Sequence, residues 1–534
     1  MNNISLLIAL GVLANSQSTS CPDYLAYSQQ RNAPFSSGKY SLPYQRPAPA
    51  CRTFNSPSIE STIHNMSSVI SDPDLYRLFE NTLPNTLDTA IKWHGVSATD
   101  SAQELTFIIT GDINAMWLRD SSNQLLSYLP FLQPDDSKAS LASLYRGVIN
   151  LQARYLLTSP YCNSFQPPPE SGLPPSNNSA AVSDTVTPAY SPAQIFECKY
   201  EIDSLASFLQ VSSAYHSATK DTDFFKRYQW VDALKTVIST AKSMTTPTYD
   251  AQGRVLDSPY KFTRQTTRTT ETLANDGLGH PVARDTGLVR SAFRPSDDSC
   301  SLQLFIPGNM MFASYLGPVM GILKTIGGHD DFVKEIADLE GSVRKGIENF
   351  GVAKVPKLTS NSSSSTLDRQ TETEEIYAYE VDGYGSAIIM DDANIPSLLA
   401  APLFGYMDRN DEKYLGTRRH ILSNTNSNSG GGNPYFMAGP VLSAVGGPHA
   451  GPGMAWPMAS IVRILTSDDD DEILGQLRQI LASTDGKGLI HESVNSWDEK
   501  SWTRPWFSWA NGLFGQMILD LADRKPHILK QSFQ

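Results

Sequence analysis

Apolar residues recur at helical spacing in many separate segments of this 534-residue chain. Between 138 and 157, six of them fall on one face of a helix: Leu141, Leu144, Tyr145, Val148, Leu151 and Tyr155. The same spacing predicts about twelve helices, near 72–83, 120–132, 138–157, 200–216, 222–244, 307–325, 330–350, 394–404, 411–423, 454–466, 471–483 and 506–524. Because strand-like alternation is rare, the pattern predicts an all-α fold.

Long irregular stretches separate these helices, at 159–198, 245–306, 359–393, 424–453 and 484–505. They are too long for a simple helix bundle, and long ordered loops usually hold functional residues. Two of them contain low-complexity insertions, near 160–195 and 358–375, which we expect to be solvated. No linker separates two cores, so one catalytic domain is predicted over 61–525, with an N-terminal extension at 21–60 and a C-terminal tail at 526–534.

The first 20 residues resemble a secretory signal peptide, because an apolar run from Ile4 to Ala14 precedes small polar residues. The run is too short to span a bilayer, so no membrane span is expected after cleavage. It has no Lys or Arg before it, and a buried N-terminal helix is the alternative interpretation. Three glycosylation sequons, at Asn65, Asn177 and Asn361, favour the secretory pathway or an extracellular location only weakly.

Five cysteines are present, and their separation makes Cys21 with Cys51, and Cys162 with Cys198, the expected disulfides in an oxidising compartment. Cys300 is then unpaired. No metal-spaced Cys/His set or nearby His accompanies it, so we interpret it as a packed core residue rather than a catalytic thiol. A net charge of -13 argues against a nucleic-acid partner, since phosphate binding requires clustered Lys and Arg.

Six unusual segments lie at or just before predicted helix starts: TGDINAMWLRDSS, CKYEIDS, FRPSDDSC, YAYEVDGYG with MDDANIPS, GGPHAGPGMAWP, and IHESVNSWDEKSWTRPWFSWANGLFG. If helices alternate between an inner and an outer ring, such segments meet at one end of a barrel, beside the positive ends of the inner helices. The sequence therefore predicts one pocket that collects all six.

These segments are rich in carboxylates and aromatic rings, which is the composition of a sugar-binding site. Aromatic faces stack on a pyranose ring, carboxylates and Arg bind its hydroxyls, and a pair of acids cleaves a glycosidic bond. Structural roles remain open for several of these residues: Asp120 would cap a helix, Arg119 beside it would form a plain ion pair, and Trp506 stands at core spacing.

Other chemistries lack their residue patterns. The chain has neither a calcium-loop rhythm nor an HExxH pair, no Gly-x-Ser-x-Gly elbow, and no phosphate loop. His449 and His491 are isolated in sequence, so we interpret them as structural. No metal and no cofactor is expected. Asp297 and Asp298 are neighbours that can raise one another's pKa, as suits a general acid, although either can equally cap the following turn.

Taken together, TGDINAMWLRDSS, FRPSDDSC, YEVDGYGSAIIMDDANIPSLL, GGPHAGPGMAWPM and IHESVN with WTRPWFSWANGLFG resemble the metal-independent α-mannosidases of glycoside hydrolase family 125. The resemblance runs from about residue 60 to 525. It implies an (α/α)6 barrel, a six-hairpin toroid whose long loops form the active-site face. It also implies inverting release of non-reducing terminal α-1,6-linked mannose from mannosides or mannose-containing glycans, without a metal.

By the same resemblance, Glu492 is similar to the family's general base, and the general acid falls at Asp297, with Asp298 as the alternative. In an inverting enzyme these carboxyls stand about 6.5–9.5 Å apart. Residues in the same motifs are expected to hold the sugar: Trp117, Arg119, Asp120, Asp298, Asp382, Asp392, Asn394, Trp456, Trp506 and Asn511.

This chain differs from a minimal family member in its signal-like N-terminus and its two insertions, which leave the leaving-group preference open. Two alternatives remain at this point. One is an inverting six-hairpin glycosidase that acts on another α-glycoside, and the other is a secreted glycan-binding protein without turnover. The oligomeric state is not predicted.

Overall fold

The computed structural model describes residues 21–357, 372–424 and 432–534. The predicted signal peptide, the sequon at Asn361 and most of the second insertion lie outside these ranges. Within them the prediction of a helix-rich fold is confirmed. The described residues form fifteen α-helices: α1 (Tyr24–Ser28), α2 (Pro57–Met66), α3 (Pro73–Thr82), α4 (Asn85–Thr89), α5 (Leu118–Leu126), α6 (Leu141–Thr158), α7 (Ile202–Thr219), α8 (Thr222–Phe225), α9 (Trp230–Ser243), α10 (Ile306–Ile326), α11 (Asp330–Phe350), α12 (Glu412–Ile421), α13 (Pro457–Leu465), α14 (Asp470–Ala482) and α15 (Ser508–Arg524).

The most buried helices follow one another in space as well as in sequence. Helix α5 packs on α7, α7 on α10, α13 on α15, and α15 on α5. Amphipathic helices cover this row from outside, with α6 on α7, α11 on α10, α14 on α13 and α3 on α15. Helix α7 is buried on almost every face, whereas α11 buries only one stripe, which includes Ile336, Val343 and Ile347.

Helices α10 and α15 anchor the loop before them in the same way. Asn309, in the first turn of α10, accepts a bond from the backbone N–H of Val289 at 2.9 Å and donates to its carbonyl at 2.8 Å. Asn511, at the same place in α15, makes the matching pair with Ile490 at 3.0 and 2.9 Å. Both side chains are fully buried, so each helix start fixes the course of a long loop.

Short antiparallel strands, which the sequence pattern does not predict, connect the loops. Seventeen occur among the described residues: β1 (Ile91–Val96), β2 (Glu104–Ile108), β3 (Met116–Trp117), β4 (Ser164–Phe165), β5 (Thr185–Thr187), β6 (Ile195–Glu197), β7 (Lys261–Thr263), β8 (Leu304–Phe305), β9 (Val352–Pro356), β10 (Thr373–Tyr377), β11 (Glu380–Val381), β12 (Ala387–Ile388), β13 (Phe436–Met437), β14 (Ala444–Val445), β15 (Met454–Ala455), β16 (Ser493–Asn495) and β17 (Asp498–Thr503). Strands of two or three residues are too short to show an alternation.

Three of these small sheets lead directly into buried helices. Strand β3, in the sheet β3–β4–β6, runs into α5; β8, in β12–β11–β8, runs into α10; and β15, in β15–β16–β17, precedes α13. Met116 pairs with Phe165, and Ala455 pairs with Val494. The sheets therefore hold the loops in register at the N-terminal ends of the helices.

Two predicted helices differ from the structure. Residues 394–404 form turns rather than a helix, because Pro396 and Pro402 remove backbone donors and the Asp391 carboxylate takes the N–H groups of Leu398 and Leu399, both at 2.9 Å. The segment 222–244 is divided into α8 and α9 by an interruption at 226–229.

The predicted N-terminal extension and C-terminal tail both pack on the helical body. In the extension, Leu42 is fully buried and the Tyr24 ring meets Trp506 edge-on at 4.9 Å. In the tail, Phe533 is buried and its N–H donates to Asp72 at 2.8 Å. In the described ranges, no helix combines the length and apolarity that a bilayer crossing requires.

Candidate active site

A cavity of about 680 Å³ opens where the buried helices begin. Trp117, Glu201, Trp456 and Phe507 are the N-cap residues of α5, α7, α13 and α15, so the positive ends of these helices point toward this region. Its walls include Thr110, Asp112, Ile113, Asn114, Trp117, Arg119, Asp120, Lys199, Ser296, Asp297, Asn394, His449, Trp456, Glu492, Arg504 and Phe507.

Arg119 is the central cation of one wall. Its guanidinium lies 2.6 Å from Glu201, 3.1 Å from Asp203 and 3.3 Å from Asp120. The three carboxylates and Arg119 are all buried. Because a buried charge requires a partner, this cluster holds the beginnings of α5 and α7 together at the cavity wall.

Asp297 contacts this cluster and reaches the cavity. Its Oδ1 accepts hydrogen bonds from Asn163 at 2.8 Å and from the Trp117 indole at 3.4 Å, and lies 4.0 Å from Arg119. Its backbone has a φ of 64°, in the left-handed region that non-glycine residues adopt mainly at functional sites and tight turns. With 22% of its side chain exposed, Asp297 is reachable from the cavity.

Glu201 and Asp297 form a coupled carboxyl pair. Asn163 donates from the same amide nitrogen to both, at 3.1 Å to Glu201 and at 2.8 Å to Asp297. Burial raises the pKa of Glu201 well above its usual range. Burial also acts upward on Asp297, but Lys199 and Arg119 outweigh it and lower the pKa of Asp297. The pKa values of the two neighbouring carboxyls are therefore shifted in opposite directions, that of Glu201 up and that of Asp297 down.

Glu492 approaches the cavity from the loop before α15. The Thr503 hydroxyl donates to one carboxylate oxygen at 2.9 Å, and Arg504 donates to the other at 3.3 Å. Arg504, which has a φ of 53°, also pairs with Asp112 and donates to Thr110 at 3.1 Å. Only 10% of the Glu492 side chain is exposed, so its two oxygens are fixed in direction.

Asp298 faces away from Asp297, toward His449. Its side chain is 4% exposed, accepts a bond from Ser296 at 3.3 Å, and lies 3.7 Å from the His449 ring. Burial alone would lower the pKa of His449, but the negative charge of Asp298 raises it to about 9. His449 is therefore an imidazolium at neutral pH and adds a positive charge to the cavity wall.

Buried polar atoms without protein partners occur beside this cavity. Within the described chain, the Trp456 indole N–H and one oxygen of Asp392 lack a hydrogen-bond partner. Burial and the nearby charge of Asp298 raise the pKa of Asp392 to about 6. Of the two residues, Trp456 lines the cavity, so its N–H is a candidate donor to a ligand.

The cavity brings together most of the predicted site residues. Those that line it are Trp117, Arg119, Asp120, Asp297, Asn394, Trp456 and Glu492. Asp298 and Asp392 lie behind its wall. Three others lie elsewhere: Asp382 accepts from the N–H groups of Tyr384 and Ser386, Trp506 is buried beneath Gly111, and Asn511 holds Ile490, two residues before Glu492.

Several wall residues were not predicted from the sequence. His449 was interpreted as structural, and Lys199, Arg504 and Asp112 were not assigned a role, nor was Asn163, which lies buried behind the wall. Lys199 is recognisable in retrospect, because it stands within CKYEIDS beside Glu201. Asn163 gives no such signal, since only the pairing of β4 with β3 brings it to Asp297.

Both predicted disulfides, Cys21–Cys51 and Cys162–Cys198, are present, and Cys300 is buried and unpaired. The second one closes the base of the first insertion beside Asn163 and Lys199. Among the residues that the structure describes, no cluster of His, Cys, Asp and Glu has the arrangement of a metal site. The sequons at Asn65 and Asn177 are exposed, and Asn177 stands at the cavity mouth.

Known proteins resemble this chain in sequence and in fold. The profile of the metal-independent alpha-mannosidases (GH125) matches residues 72–519. The meiotically up-regulated gene 157 protein of Schizosaccharomyces pombe is 48% identical over 513 residues, which are 96% of this chain and 94% of that protein. A metal-independent alpha mannosidase of Streptococcus pneumoniae, solved in a non-productive complex with alpha-1,6-mannobiose, superposes with a TM-score of 0.73 at 33% identity.

The superposition covers 89% of this chain and 100% of the pneumococcal chain, and the family match spans the carboxylate-lined cavity from Arg119 to Glu492. The family match and the superposition each cover far more than half of the protein. This chain is a glycosidase and belongs to the metal-independent α-mannosidases of glycoside hydrolase family 125.

Proposed function

We propose that this protein removes non-reducing terminal α-1,6-linked mannose with inversion of configuration. The observation that carries the proposal is that Asp297 and Glu492, from different loops, line one cavity of a size suited to a sugar. The mannobiose bound by the pneumococcal relative supports the α-1,6 linkage.

We also propose that the helices close into an (α/α)6 barrel. The succession α13, α15, α5, α7 and α10, each packed on the next, supplies most of an inner ring, and α14, α3, α6 and α11 lie outside it. The turns at 394–404 take the place of the remaining inner helix between α10 and α13.

Asp297 serves as the general acid and Glu492 as the general base. Asp297 is favoured over Asp298 because its side chain reaches the cavity, whereas Asp298 is almost fully buried against Ser296 and His449. Glu492 accepts hydrogen bonds from Thr503 and Arg504, which fix the direction of its carboxylate toward the attacking water.

The reaction follows from these roles. Glu492 takes a proton from a water molecule as that water attacks the anomeric carbon, on the face opposite the leaving group. The bond from this carbon to the glycosidic oxygen breaks, and Asp297 gives that oxygen a proton. The product is β-mannose, and the enzyme returns to its starting state when a proton passes from Glu492, through solvent, to the acid.

The proton of the acid comes from the Glu201–Asp297 pair. Burial raises the pKa of Glu201, so Glu201 is the member of the pair that we propose to hold the proton in the free protein, and Asn163 donates to both carboxyls. A sugar in the cavity displaces water from Asp297 and raises the free energy of its ionised form, so the proton passes from Glu201 to Asp297. Glu201 is thus a positioning residue that supplies the acid without touching the substrate.

The terminal mannose lies among Arg119, Asp120, Asn394 and Trp456, which line the cavity. The unpaired N–H of Trp456 binds one of its hydroxyls, and the unpaired oxygen of Asp392 stands close behind the wall. The Trp117 indole N–H donates to the Asp297 carboxylate and orients it. Asp382, Trp506 and Asn511 act on the sugar only through the loops that they support.

The test is hydrolysis of α-1,6-mannobiose by the purified protein with a chelator present, followed by NMR of the first-formed anomer. We expect β-mannose, and a loss of turnover of at least 100-fold in Asp297→Asn and Glu492→Gln, since each proton transfer contributes about 10²–10⁴-fold. The exposed Asp257→Asn and the partly exposed Glu499→Gln are the matched controls.

The result also separates the alternatives. An active Asp297→Asn protein with an inactive Asp298→Asn protein would transfer the acid role to Asp298. Turnover of α-glucosides instead of mannosides would indicate another six-hairpin activity, and binding without hydrolysis would indicate a glycan-binding protein. The two disulfides support a place in the secretory pathway, which secretion of the full chain from an expressing cell would test.

A further inference from the structure

The first insertion forms a second cavity that continues the active-site cavity. It has a volume of about 560 Å³ and is lined entirely by residues between 166 and 196. The two cavities share Ser176, Asn177, Asn178 and Phe196 in their walls. We call this second cavity the insertion cleft. It is continuous with the site rather than a separate pocket.

The insertion is solvated, as expected, since Val186 is the only apolar residue buried between 169 and 194, but contacts with the rest of the protein fix it as a wall. Arg264 pairs at 2.6 Å with both Asp184 and Glu197, and all three side chains are less than 10% exposed. Strand β5 pairs with β7, which places Val186 opposite Phe262. The ends of the insertion are joined by the Cys162–Cys198 disulfide. The shape of the cleft is therefore fixed before any ligand binds.

The cleft lies on the side of the general acid. Asp297 accepts a bond from the Trp117 indole, and the Trp117 ring meets Phe196 edge-on at 5.5 Å. A general acid stands beside the oxygen that leaves, so the remainder of the substrate departs from the site on this side. Phe196 is at the junction, with one cavity on each side of it.

The lining of the cleft suits a carbohydrate. Tyr190 and Phe196 offer aromatic rings, Val182 is 81% exposed, and Asn178, whose amide already donates to the Phe196 carbonyl at 3.1 Å, has a second amide N–H to offer. Rings of this kind cover the C–H face of a sugar, and amides bind its hydroxyls. Cavities of about 300–1,000 Å³ take ligands larger than one sugar ring, so the cleft has room for at least one further residue beyond the leaving group.

We infer that the insertion cleft binds the leaving-group side of an extended oligosaccharide, so that the substrate is a glycan chain longer than a disaccharide. The inference rests on the proposed function, because that function puts the terminal mannose in the first cavity. It assigns to the insertion a role in the choice of substrate and none in bond cleavage.

The experiment compares kcat/KM for linear α-1,6-mannotetraose and for α-1,6-mannobiose, using the full chain. We expect the ratio to favour the tetrasaccharide by about tenfold, the gain from contacts worth about 1.4 kcal/mol. Ala189→Trp, which fills the cleft from an exposed position, and Tyr190→Ala, which removes a ring, should bring the ratio near one. Ala251→Trp, at an exposed turn outside both cavities, is the matched control and should leave the ratio unchanged.

Calorimetric titration of mannotetraose into the unmutated protein and Ala189→Trp separates this inference from the proposed function. Absent turnover, together with binding that Ala189→Trp weakens, would reject the proposed function and support the cleft. Turnover of both substrates with a ratio that Ala189→Trp and Tyr190→Ala do not change would overturn the cleft and leave the proposed function standing.

Discussion

Replacing Arg119 with Met should destabilise the protein through the carboxylates that it leaves behind. Glu201 and Asp203 lie 2.6 and 3.1 Å from the guanidinium, and both side chains have no exposed surface. Asp203 is the carboxylate left without its cation, and removing one partner of a buried ion pair costs about 3–5 kcal/mol, because the remaining charge is uncompensated. Methionine retains most of the volume of arginine, so the loss is electrostatic rather than a cavity effect.

The loss is measurable as a shift of the unfolding midpoint, by differential scanning fluorimetry at a fixed heating rate. At about 2 cal/mol/K of unfolding entropy per residue, a chain of this length has about 1.1 kcal/mol/K, so the expected shift is about 3–5 °C. The shift should depend on pH. In the variant, the stranded Asp203 carboxyl stays protonated in the folded protein, whereas in the unfolded chain it loses its proton near pH 4. The deficit in stability therefore grows from pH 4.5 to pH 7.5.

Arg254→Met is the matched control, since Arg254 is 76% exposed and pairs with Asp250 at the surface. It should leave the midpoint nearly unchanged. A shift in Arg119→Met that is the same at both pH values, or no larger than that of the control, would refute the argument from buried charge.

Three further predictions concern the candidate site. Glu201→Gln should lower kcat and move the alkaline limb of the kcat/KM profile to lower pH, because the amide cannot supply a proton to Asp297. Turnover should fall as pH rises through about 9, where His449 loses the positive charge that Asp298 stabilises, and His449→Asn should lack this limb. The same titration removes stability between about pH 6.5 and 9. Replacing Cys162 and Cys198 by Ala should cost about 4 kcal/mol of unfolding free energy, from the loop of 36 residues that the disulfide closes.

Each of these predictions has a control variant that separates the proposed role from a purely structural one. Asp203→Asn also loses a partner of Arg119 but should leave the position of the alkaline limb unchanged. Asp298→Asn should lower the pH at which the limb due to His449 appears. Cys300→Ala removes a buried thiol that closes no loop, so its midpoint should fall much less than that of the disulfide variant.

Periodicity alone was sufficient to place most helices, because a helix that packs on one side repeats its apolar residues over several turns. Helices α6, α10, α11 and α15 lie within a few residues of their predicted bounds. The prediction failed at 394–404, where apolar residues occur at suitable spacing but Pro396, Pro402 and the Asp391 carboxylate divert the backbone groups from a helix.

The sequence also determined which residues were candidates for chemistry, because acids and aromatic rings are concentrated in motifs before the helices. Only the tertiary structure decided how they combine. Asp297 and Asp298 are equivalent neighbours in sequence, yet a φ of 64° turns one toward the cavity and leaves the other buried beside His449. The Pro-rich insertion is predicted as a solvated loop from its composition. Contacts from distant residues, above all Arg264 and β7, give it a defined wall, and contacts at such sequence distance leave no local pattern.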